Sequence, residues 1–458
     1  MKIVRWCALL LPALLGAAAQ ERRPNILFIL ADDLGSAELG CTGQKKIRTP
    51  RIDRLAAEGM RFTQFYAGNA VCAPSRCVLM TGKHAGHAWV RNNRELKVEG
   101  QTPIPDSAVT VAELLKAKGY ATGAVGKWGL GSPGSEGDPN RQGFDLFFGY
   151  NCQRHAHNHY PAYLWKNDKK IELDGKTYSH DLMEKEALDF VRANKAKPFF
   201  LFVPFTIPHA AVQVPEDSLE EYKGKFEETP YDGKKGYQPH ATPRAAHAAM
   251  ITRMDRSVGR LVDLLAELGL EKETLVVFSS DNGGPAGGAG MDGAFFETNG
   301  LLRGHKGSLF EGGIRTPFIA RWPGRIKPGT TSDLPAAFYD LLPTFSAVAG
   351  AEVPKDADGV SLLPTLLGQG GQQKHDFLYW EFPAGGGWQA VRVGSWKGLR
   401  QNLAQKKSEI QLYDLSKDPG EREDVASKHP DVVGRIAGLM KEQHAPSELF
   451  PLPGIDPK

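Results

Sequence analysis

Two pairs of polar residues follow apolar runs of the sequence and offer oxygen ligands. Asp32 and Asp33 come directly after "NILFILA", and Asp281 and Asn282 follow "TLVVFSS". One such pair alone is more typical of a turn or a cap, where Asp and Asn are common. Two pairs at one edge of a sheet instead favour a hard divalent cation, Ca²⁺ or Mg²⁺, over zinc. The sequence therefore predicts a metal site at these four residues.

Several cationic or hydrogen-bonding side chains are predicted near the same place. Lys127 and His209 end two further apolar runs, and Lys306 and Arg76 occur in glycine- and proline-rich surroundings. Taken singly, each is ordinarily a solvated charge or a satisfied polar residue. Beside a metal, however, cations and N–H donors form a site for a tetrahedral oxyanion. The planar guanidinium of Arg76 matches such an anion.

The stretch "NAVCAPSRCVLMTGKH" places a cysteine at the start of a predicted helix. Pro74 fits the first turn, so Cys72 faces the positive end of the helix dipole, and a lowered thiol pKa is expected. A thiolate beside a metal site and an oxyanion would nevertheless bring two negative species together. A cysteine nucleophile also needs a paired histidine, which the local motif lacks. The residues alone leave the role of Cys72 open.

The elements that must position these side chains alternate between strands and helices. Helix "VAELLKAKG" leads into strand "YATGAVGKW", and "DLMEKEALDFVRAN" leads into "PFFLFVPFTIPH". This alternation predicts an α/β fold in which a mainly parallel sheet is covered by helices on both faces. The carboxyl ends of parallel strands share one edge, where ligands bind. The scattered polar residues are therefore expected to meet there.

The amino-acid composition of the chain changes towards both ends. Residues 1–19 combine Lys2 and Arg5 with an apolar run and small residues, and they predict a cleavable export signal rather than a membrane anchor. Residues 20–367 are expected to form the catalytic domain. After the linker "GQGGQQKH", residues 368–458 predict a small α+β subdomain, an antiparallel sheet with one helix. The protein is accordingly expected to be periplasmic or secreted, with no membrane attachment after signal cleavage.

Charge and cysteine content exclude other classes. The net charge of +3 falls to +1 without the signal, so no global electrostatic case exists for nucleic acid. Four cysteines remain in the mature chain, too few for a disulfide scaffold. If Cys72 has a chemical role, at most one bridge can form.

The motifs together resemble the type I, formylglycine-dependent sulfatases, of the arylsulfatase and N-acetylgalactosamine-sulfatase kind. "CAPSR" followed by "LMTGK" matches the signature in which the cysteine is converted to a formylglycine aldehyde. "NILFILADDLG", "GKWGLG", "PFFLFVPFTIPH", "SSDNGG", "GHKGSLFEGGIRTPFIARWPG" and "LYDLSKDPGE" follow in the family's order. The resemblance covers essentially the whole mature chain. It implies the alkaline-phosphatase-like α/β fold with a small C-terminal subdomain.

The resemblance also implies roles for single residues. Asp32, Asp33, Asp281 and Asn282 look like the calcium ligands, with the modified Cys72 also on the metal. A hydroxyl of the hydrated aldehyde would attack sulfur, and the second hydroxyl would allow sulfate to leave. The developing charge would be spread by the metal and by Arg76, Lys127, Lys306 and His209, with His209 or Lys306 protonating the departing alcohol. The implied partner is a formylglycine-generating or anaerobic sulfatase-maturating enzyme.

One departure from the family pattern concerns a histidine. The family commonly reads "GKWHLG", whereas this chain has Gly129, so the proton removal assigned to that histidine lacks a residue here. The segment "YNCQRHAHNHYP" suggests that His157 or His159 enters the site instead. A histidine-rich surface loop is the alternative.

Substrate and competing functions remain open at this level. A rim that carries Trp388 and Tyr160 suits sugar rings, although core packing is the more frequent explanation for any one such residue. Export and this rim suggest a sulfated polysaccharide or glycosaminoglycan fragment, such as a galactose or N-acetylgalactosamine sulfate. One alternative is a formylglycine-dependent phosphonate or phosphodiester hydrolase. Another is a non-catalytic, secreted glycan-binding protein in which Cys72 is not converted.

Overall fold

The computed structural model describes residues 23–234, 236–405 and 408–457. The predicted export signal therefore lies outside the described residues. The strands within them are β1 (Asn25–Ala31), β2 (Met60–Phe62), β3 (Phe65–Tyr66), β4 (Ala121–Lys127), β5 (Leu146–Tyr150), β6 (Tyr163–Lys166), β7 (Lys169–Glu172), β8 (Phe199–Pro204), β9 (Thr274–Ser280), β10 (Gly287–Gly288), β11 (Met291–Asp292), β12 (Phe318–Arg321), β13 (Thr330–Ser332), β14 (Ala336–Ala337), β15 (Leu378–Phe382), β16 (Trp388–Val393), β17 (Trp396–Gln401) and β18 (Gln411–Asp414).

The helices of the same part of the chain range from one turn to seven turns. They are α1 (Pro50–Ala57), α2 (Cys72–Thr81), α3 (Val111–Ala117), α4 (Ser179–Ala193), α5 (Glu216–Leu219), α6 (Pro243–Glu267), α7 (Gly293–Phe296), α8 (Glu311–Ile314), α9 (Leu341–Ala349), α10 (Leu363–Leu366) and α11 (Pro430–Glu442). None of these described helices combines the length and the apolar character that a membrane span requires.

A ten-stranded sheet organises the described chain, in the order β13-β2-β12-β9-β1-β8-β4-β5-β6-β7. Its centre is parallel, because β1 pairs with β8 and β9, and β4 pairs with β8 and β5, all in parallel. Antiparallel strands flank this centre on both sides, starting with β12 and β6. The predicted α/β fold with a mainly parallel sheet is confirmed.

Strand β1 shows why its apolar run does not alternate with polar residues. Ile26, Phe28 and Leu30 enter one core cluster with residues of α2, α3 and α9. Leu27 and Ile29 enter a second cluster with residues of α1, α4 and α6. Helices thus cover both faces, and every β1 residue is buried, as expected of a central parallel strand.

The C-terminal residues form the predicted antiparallel sheet with one helix. Strands β15 to β18 pair in sequence order, and α11 packs on them through Ile436 and Met440. The sheet also joins the larger core: Trp380 belongs to the first cluster and donates from Nε1 to the carbonyl oxygen of Ala67 at 3.0 Å. The boundary at residues 367 and 368 stays a prediction.

A buried ion cluster attaches this sheet to the rest of the protein. Lys397 of β17 lies 2.9 Å from Glu311 of α8 and 2.8 Å from Glu421, and the three side chains are fully buried. Lys397→Met would leave buried Glu421 without its cation and buried Glu311 with only Arg315, at 3.4 Å, among the described ion pairs. Such a loss is expected to lower the free energy of unfolding by about 3–5 kcal/mol, measurable as a fall in the thermal unfolding temperature.

Lys417→Met provides the matched control for that variant. The Lys417 side chain is 84% exposed and lies 3.4 Å from Asp414, and exposed pairs contribute only about 0–1 kcal/mol. The control should unfold near the temperature of the parent protein. Equal unfolding temperatures for both variants would contradict a structural role for the buried cluster.

Candidate active site

The carboxyl ends of the central strands bring the predicted metal ligands together. Strands β1 and β9 are neighbours, and their following loops are joined by side chains. The Asp33 N–H donates to Asp281 Oδ1 at 3.1 Å, and Asn282 Nδ2 donates to Asp33 Oδ1 at 2.8 Å. The four residues Asp32, Asp33, Asp281 and Asn282 are all buried. The expectation that both pairs meet at one sheet edge is met.

Helix α2 presents Cys72 to this edge. The helix begins at Cys72 with Pro74 in its first turn, as predicted, and ends before Gly82, which adopts a left-handed conformation at φ 66°. All ten helix residues are buried, so the position of Cys72 is held by packing on every side. The thiol Sγ lies 3.4 Å from Asp32 Oδ1.

Three cations converge on the same carboxylates. Lys127 Nζ lies 2.6 Å from Asp32 Oδ2 and 3.4 Å from Cys72 Sγ. Lys306 Nζ lies 2.7 Å from Asp33 Oδ1 and 3.6 Å from the same sulfur. The guanidinium fork of Arg76 engages Asp281 Oδ2 through Nε at 3.2 Å and Nη2 at 2.8 Å. Two ammonium groups therefore flank the Cys72 side chain.

The expected lowering of the Cys72 pKa is wrong. Burial and then the negative charge of Asp32 raise the pKa of the thiol to about 12, against the opposing effect of Lys127. A helix N-terminus contributes partial charges, whereas a buried thiolate would lose its hydration and face full negative charges. The groups packed around the helix end, and not the helix dipole, therefore decide the direction in which the pKa of Cys72 shifts.

The histidines differ in where they lie. His209 follows β8, with Nε2 3.4 Å from Asp33 Oδ2, and burial lowers its pKa to about 4. The ring of His157 stacks on His209, with centroids 4.8 Å apart and planes 10° apart. His159 is fully buried, and its ring nitrogens contact the His209 carbonyl oxygen at 3.2 Å and Thr206 Oγ1 at 3.3 Å. His157 thus joins the site, whereas His159 contacts the backbone that carries His209.

The predicted rim residues have other neighbours. Trp388 packs edge-on against Phe310 at 5.8 Å between ring centroids. Tyr160 packs against Tyr178 at 5.2 Å. Neither described ring contact involves Cys72 or His209. Tyr237, which the sequence did not single out, lies 5.2 Å from the ring of His157 and so borders the site from the loop before α6.

The donor atoms at this edge of the sheet suit a divalent cation. Ligand atoms of Asp32, Asp33, Cys72 and His209 all lie within 4.8 Å of one another. Asn282 uses its Nδ2 for Asp33 and Gly283, while its buried Oδ1 has no partner among the described residues. A buried carbonyl oxygen without a partner is costly, and amide and carboxylate oxygens suit Ca²⁺ or Mg²⁺. The residues fit such an ion.

The surrounding cations do not compensate the three carboxylates equally. They outweigh burial at Asp32 and Asp33, chiefly through the two neighbouring ammonium groups, and lower both pKa values, but they do not outweigh it at Asp281. Burial and then the charge of Asp32 raise the pKa of Asp281 to about 6, although Arg76 opposes this. An added dication would favour the ionised form of all three aspartates. The fit therefore rests on charge as well as on ligand type.

Gly129 and Gln153 lie beside this cluster and were not paired by sequence reasoning. Gly129 has φ +84°, and a Cβ built there would lie 2.3 Å from Gln153 Nε2 and 3.9 Å from Arg76 Cδ. In the sequence, Gln153 is marked only by its place in the histidine-rich segment "YNCQRHAHNHYP". No spacing rule connects it to Gly129, because the two come from loops after different strands.

The chain was compared with known proteins. The family model described as Sulfatase matches residues 24–351, and that described as N-sulphoglucosamine sulphohydrolase, C-terminal, matches residues 305–444. Human (Homo sapiens) arylsulfatase A is 34% identical over 94% of this chain and 88% of its own length. The dog (Canis lupus familiaris) N-acetylgalactosamine-6-sulfatase is 32% identical over 93% and 87%.

A solved structure agrees with these relatives. The crystal structure of Ps i-CgsB in complex with k-i-k-neocarrahexaose superposes with a TM-score of 0.80 and 29% identity, covering 93% of this chain and 94% of that one. The alkaline-phosphatase-like fold implied by the sequence motifs is thereby confirmed. The likeness extends over the large sheet and the C-terminal subdomain.

Proposed function

Because the chain belongs to the sulfatase family and is therefore a sulfuric ester hydrolase, we propose that it removes sulfate from a sulfated carbohydrate, using a formylglycine at position 72 and a bound calcium ion. The observation that carries this proposal is the meeting of Cys72, two ammonium groups and the carboxylates of Asp32, Asp33 and Asp281 at one sheet edge. The ester sulfur would lie beside residue 72.

Formylglycine would supply chemistry that a thiol cannot. As a hydrate it would offer one hydroxyl that attacks sulfur and displaces the alcohol. The second hydroxyl would give its proton to a base, proposed as His157 beside His209, while the C–O bond to the sulfate group breaks, so that sulfate leaves and the aldehyde forms again. The chain's part is to hold residue 72 at the start of α2, where packing fixes its direction. Conversion requires a formylglycine-generating or anaerobic sulfatase-maturating enzyme, which we infer as the partner.

The remaining residues would bind and orient the reacting group. Lys127 and Lys306, at 3.4 Å and 3.6 Å from Cys72 Sγ, would stabilise negative charge on the sulfate oxygens. Asp32, Asp33, Asp281 and Asn282 would hold Ca²⁺, with Mg²⁺ as an alternative, which would supply Lewis-acid polarisation of a sulfate oxygen. Arg76 would keep Asp281 ionised and oriented.

Protonation of the departing alcohol is assigned to His209 or Lys306. The His209 Nδ1 donates to the Ala210 carbonyl oxygen, so the neutral ring has no proton on Nε2, the atom that faces Asp33. His209 could therefore protonate the alcohol from Nε2 only as the imidazolium, whereas the raised pKa of Lys306, held up against burial by the charge of Asp33, keeps a proton on its Nζ. Lys306 is the more accessible of the two, with 20% of its side chain exposed. It therefore lies where a leaving group could reach solvent.

A carbohydrate substrate is supported by the relatives and by the site's borders. Ps i-CgsB was solved with k-i-k-neocarrahexaose, and the dog relative is named for N-acetylgalactosamine 6-sulfate chemistry. In this chain Tyr237 and His157 form an aromatic wall suited to a sugar ring. A galactose or N-acetylgalactosamine sulfate in a polysaccharide or glycosaminoglycan fragment is the proposed class, encountered outside the cytoplasm.

Comparison of ester types tests the proposal. Protein produced with a formylglycine-generating enzyme should release sulfate from 4-nitrophenyl sulfate faster than phosphate from 4-nitrophenyl phosphate or alcohol from a phosphonate ester. A panel of defined sulfated galactose and N-acetylgalactosamine oligosaccharides would then identify the sugar. Protein made without the maturating enzyme is the control, and it should bind these sugars without turnover.

Other outcomes would favour the alternatives. Faster cleavage of the phosphonate or phosphodiester would indicate the related hydrolase. An unconverted Cys72 in protein from its native host, together with saturable sugar binding, would indicate a glycan-binding protein. Either result would overturn the proposed function.

A further inference from the structure

Gly129 and Gln153 compete for the same space. A Cβ at position 129 would come within 2.3 Å of Gln153 Nε2, closer than two such atoms can approach. The Gln153 amide thus occupies the place into which a side chain at 129 would begin to extend. Where the family motif "GKWHLG" that this chain resembles has a histidine, this chain has Gly129 and places beside it an amide that arrives from the neighbouring loop.

The two loops that hold this pair are joined by backbone hydrogen bonds. The Trp128 N–H donates to the Tyr150 carbonyl oxygen at 2.9 Å, and the Gly129 N–H donates to that of Asn151 at 3.1 Å. The parallel pairing of β4 and β5 therefore continues past both strand ends. Gln153 comes two residues after Asn151, where this pairing ends, and its side chain is buried.

The Gln153 amide has no protein partner within the described chain. The residue is only 4% exposed, and both Nε2 and Oε1 are buried without a hydrogen bond. No other glutamine of the described residues has both of its amide atoms buried without a hydrogen bond. An amide buried without partners costs about 1–3 kcal/mol, a cost that a polar ligand would remove.

The surroundings of the Gln153 amide indicate the charge of the ligand that it would bind. The position that it occupies borders Arg76, whose guanidinium contacts the Lys127 carbonyl oxygen and Asp281. Lys127 Nζ in turn reaches Cys72 Sγ. A group bound between residue 72 and Gln153 would meet the Lys127 ammonium on one side and the unpartnered N–H donors of the Gln153 amide on the other, and this combination favours an anion.

We propose that the Gln153 amide donates a hydrogen bond from Nε2 to an oxygen of the sulfate group undergoing hydrolysis. This inference rests on the proposed function. An amide donates a hydrogen bond but does not take up a proton near neutral pH, so Gln153 binds the sulfate and does not replace the histidine as a base. The residue contributes by binding negative charge as it develops in the transition state.

Gln153→Met tests the proposal, since methionine keeps the length and removes the donor. On 4-nitrophenyl sulfate, which carries no sugar, kcat/KM should fall by about 10²–10³-fold, the cost of one lost oxyanion donor. Inorganic sulfate should also inhibit the variant more weakly. The unfolding temperature should not fall, because no described hydrogen bond within the protein is lost.

Gln142→Met is the matched control. Gln142 is 1% exposed, and its Nε2 donates to the Glu136 carbonyl oxygen at 2.8 Å, away from the site. This variant should lose thermal stability and keep kcat/KM per folded molecule. The opposite responses of the two variants separate a ligand contact from a structural one.

Gln153→Glu adds a pH readout. The introduced carboxylate would repel sulfate, whereas its protonated form regains an O–H donor. Its kcat/KM relative to that of the parent protein should therefore rise as pH falls, which a purely structural role would not produce.

The outcomes can be distinguished. Unchanged kcat/KM in Gln153→Met on the aryl sulfate, with an active parent protein, would overturn this inference alone. A loss confined to sugar substrates would also overturn it, since the amide would then bind the sugar. A converted parent protein that releases no sulfate would overturn the proposed function and this inference together.

Discussion

Cys72→Ala should abolish sulfate release, with a loss on the order of 10⁶-fold, the cost of removing the nucleophile from a hydrolase. The physical reason is that residue 72 carries the proposed nucleophile between Lys127 and Lys306. The neighbouring Asp32 and Asp33 are instead ion-paired with these lysines and are assigned to the metal. The metal and the cations alone would bind the ester without breaking it. Release of 4-nitrophenol under matched protein concentrations measures the loss.

Cys77→Ala is the control on the same helix. Cys77 is fully buried in the core, and it lies one and a half turns from the helix start. Its replacement should lower the unfolding temperature and leave turnover intact. A hydrazine reagent should label the parent protein and Cys77→Ala but not Cys72→Ala. Turnover by Cys72→Ala, or labelling that survives in it, would refute the role of residue 72.

Removal of the metal should be the second large effect. Chelated protein is expected to lose turnover and regain it with Ca²⁺, because the proposed calcium ligands are three buried aspartates and the unpartnered Asn282 Oδ1, and no side chain of the described residues replaces the ion at that oxygen. At a calcium concentration of about 100 times Kd, binding should stabilise the fold by about 2.7 kcal/mol. Titration calorimetry and the unfolding temperature measure this independently of activity.

Asn282→Ala tests the ligand set within that prediction. Loss of an amide ligand should weaken calcium binding by more than about 100-fold, since outer residues alone cost about 10–100-fold. Asn140→Ala is the control, because its Nδ2 also makes two hydrogen bonds, to Phe144 and Asn167 at 3.0 Å and 3.2 Å, away from the site. Equal calcium affinity in both variants, or a chelated parent protein that binds no calcium, would exclude the proposed site.

Several residues of the site could be predicted because short stretches of the sequence around them indicate their position. Continuous apolar runs become β1 and β9, and the polar residues after them meet, since parallel strands end at one edge. The start of α2 could be predicted because Pro74 is favoured in the first turn of a helix. The direction of the Cys72 pKa shift could not be predicted in this way, because desolvation depends on what the whole fold packs around the thiol.

The sequence by itself determined the strand and helix order, the edge where the ligands gather, the start of α2 and the C-terminal antiparallel sheet, because each follows from short patterns of polarity and turn residues. Only the tertiary structure decided that His157 stacks on His209 while His159 contacts backbone, and that Gln153 fills the space beside Gly129. The reason is that these contacts join separate loops. Their geometry depends on how neighbouring strands extend and pack, which no local spacing encodes.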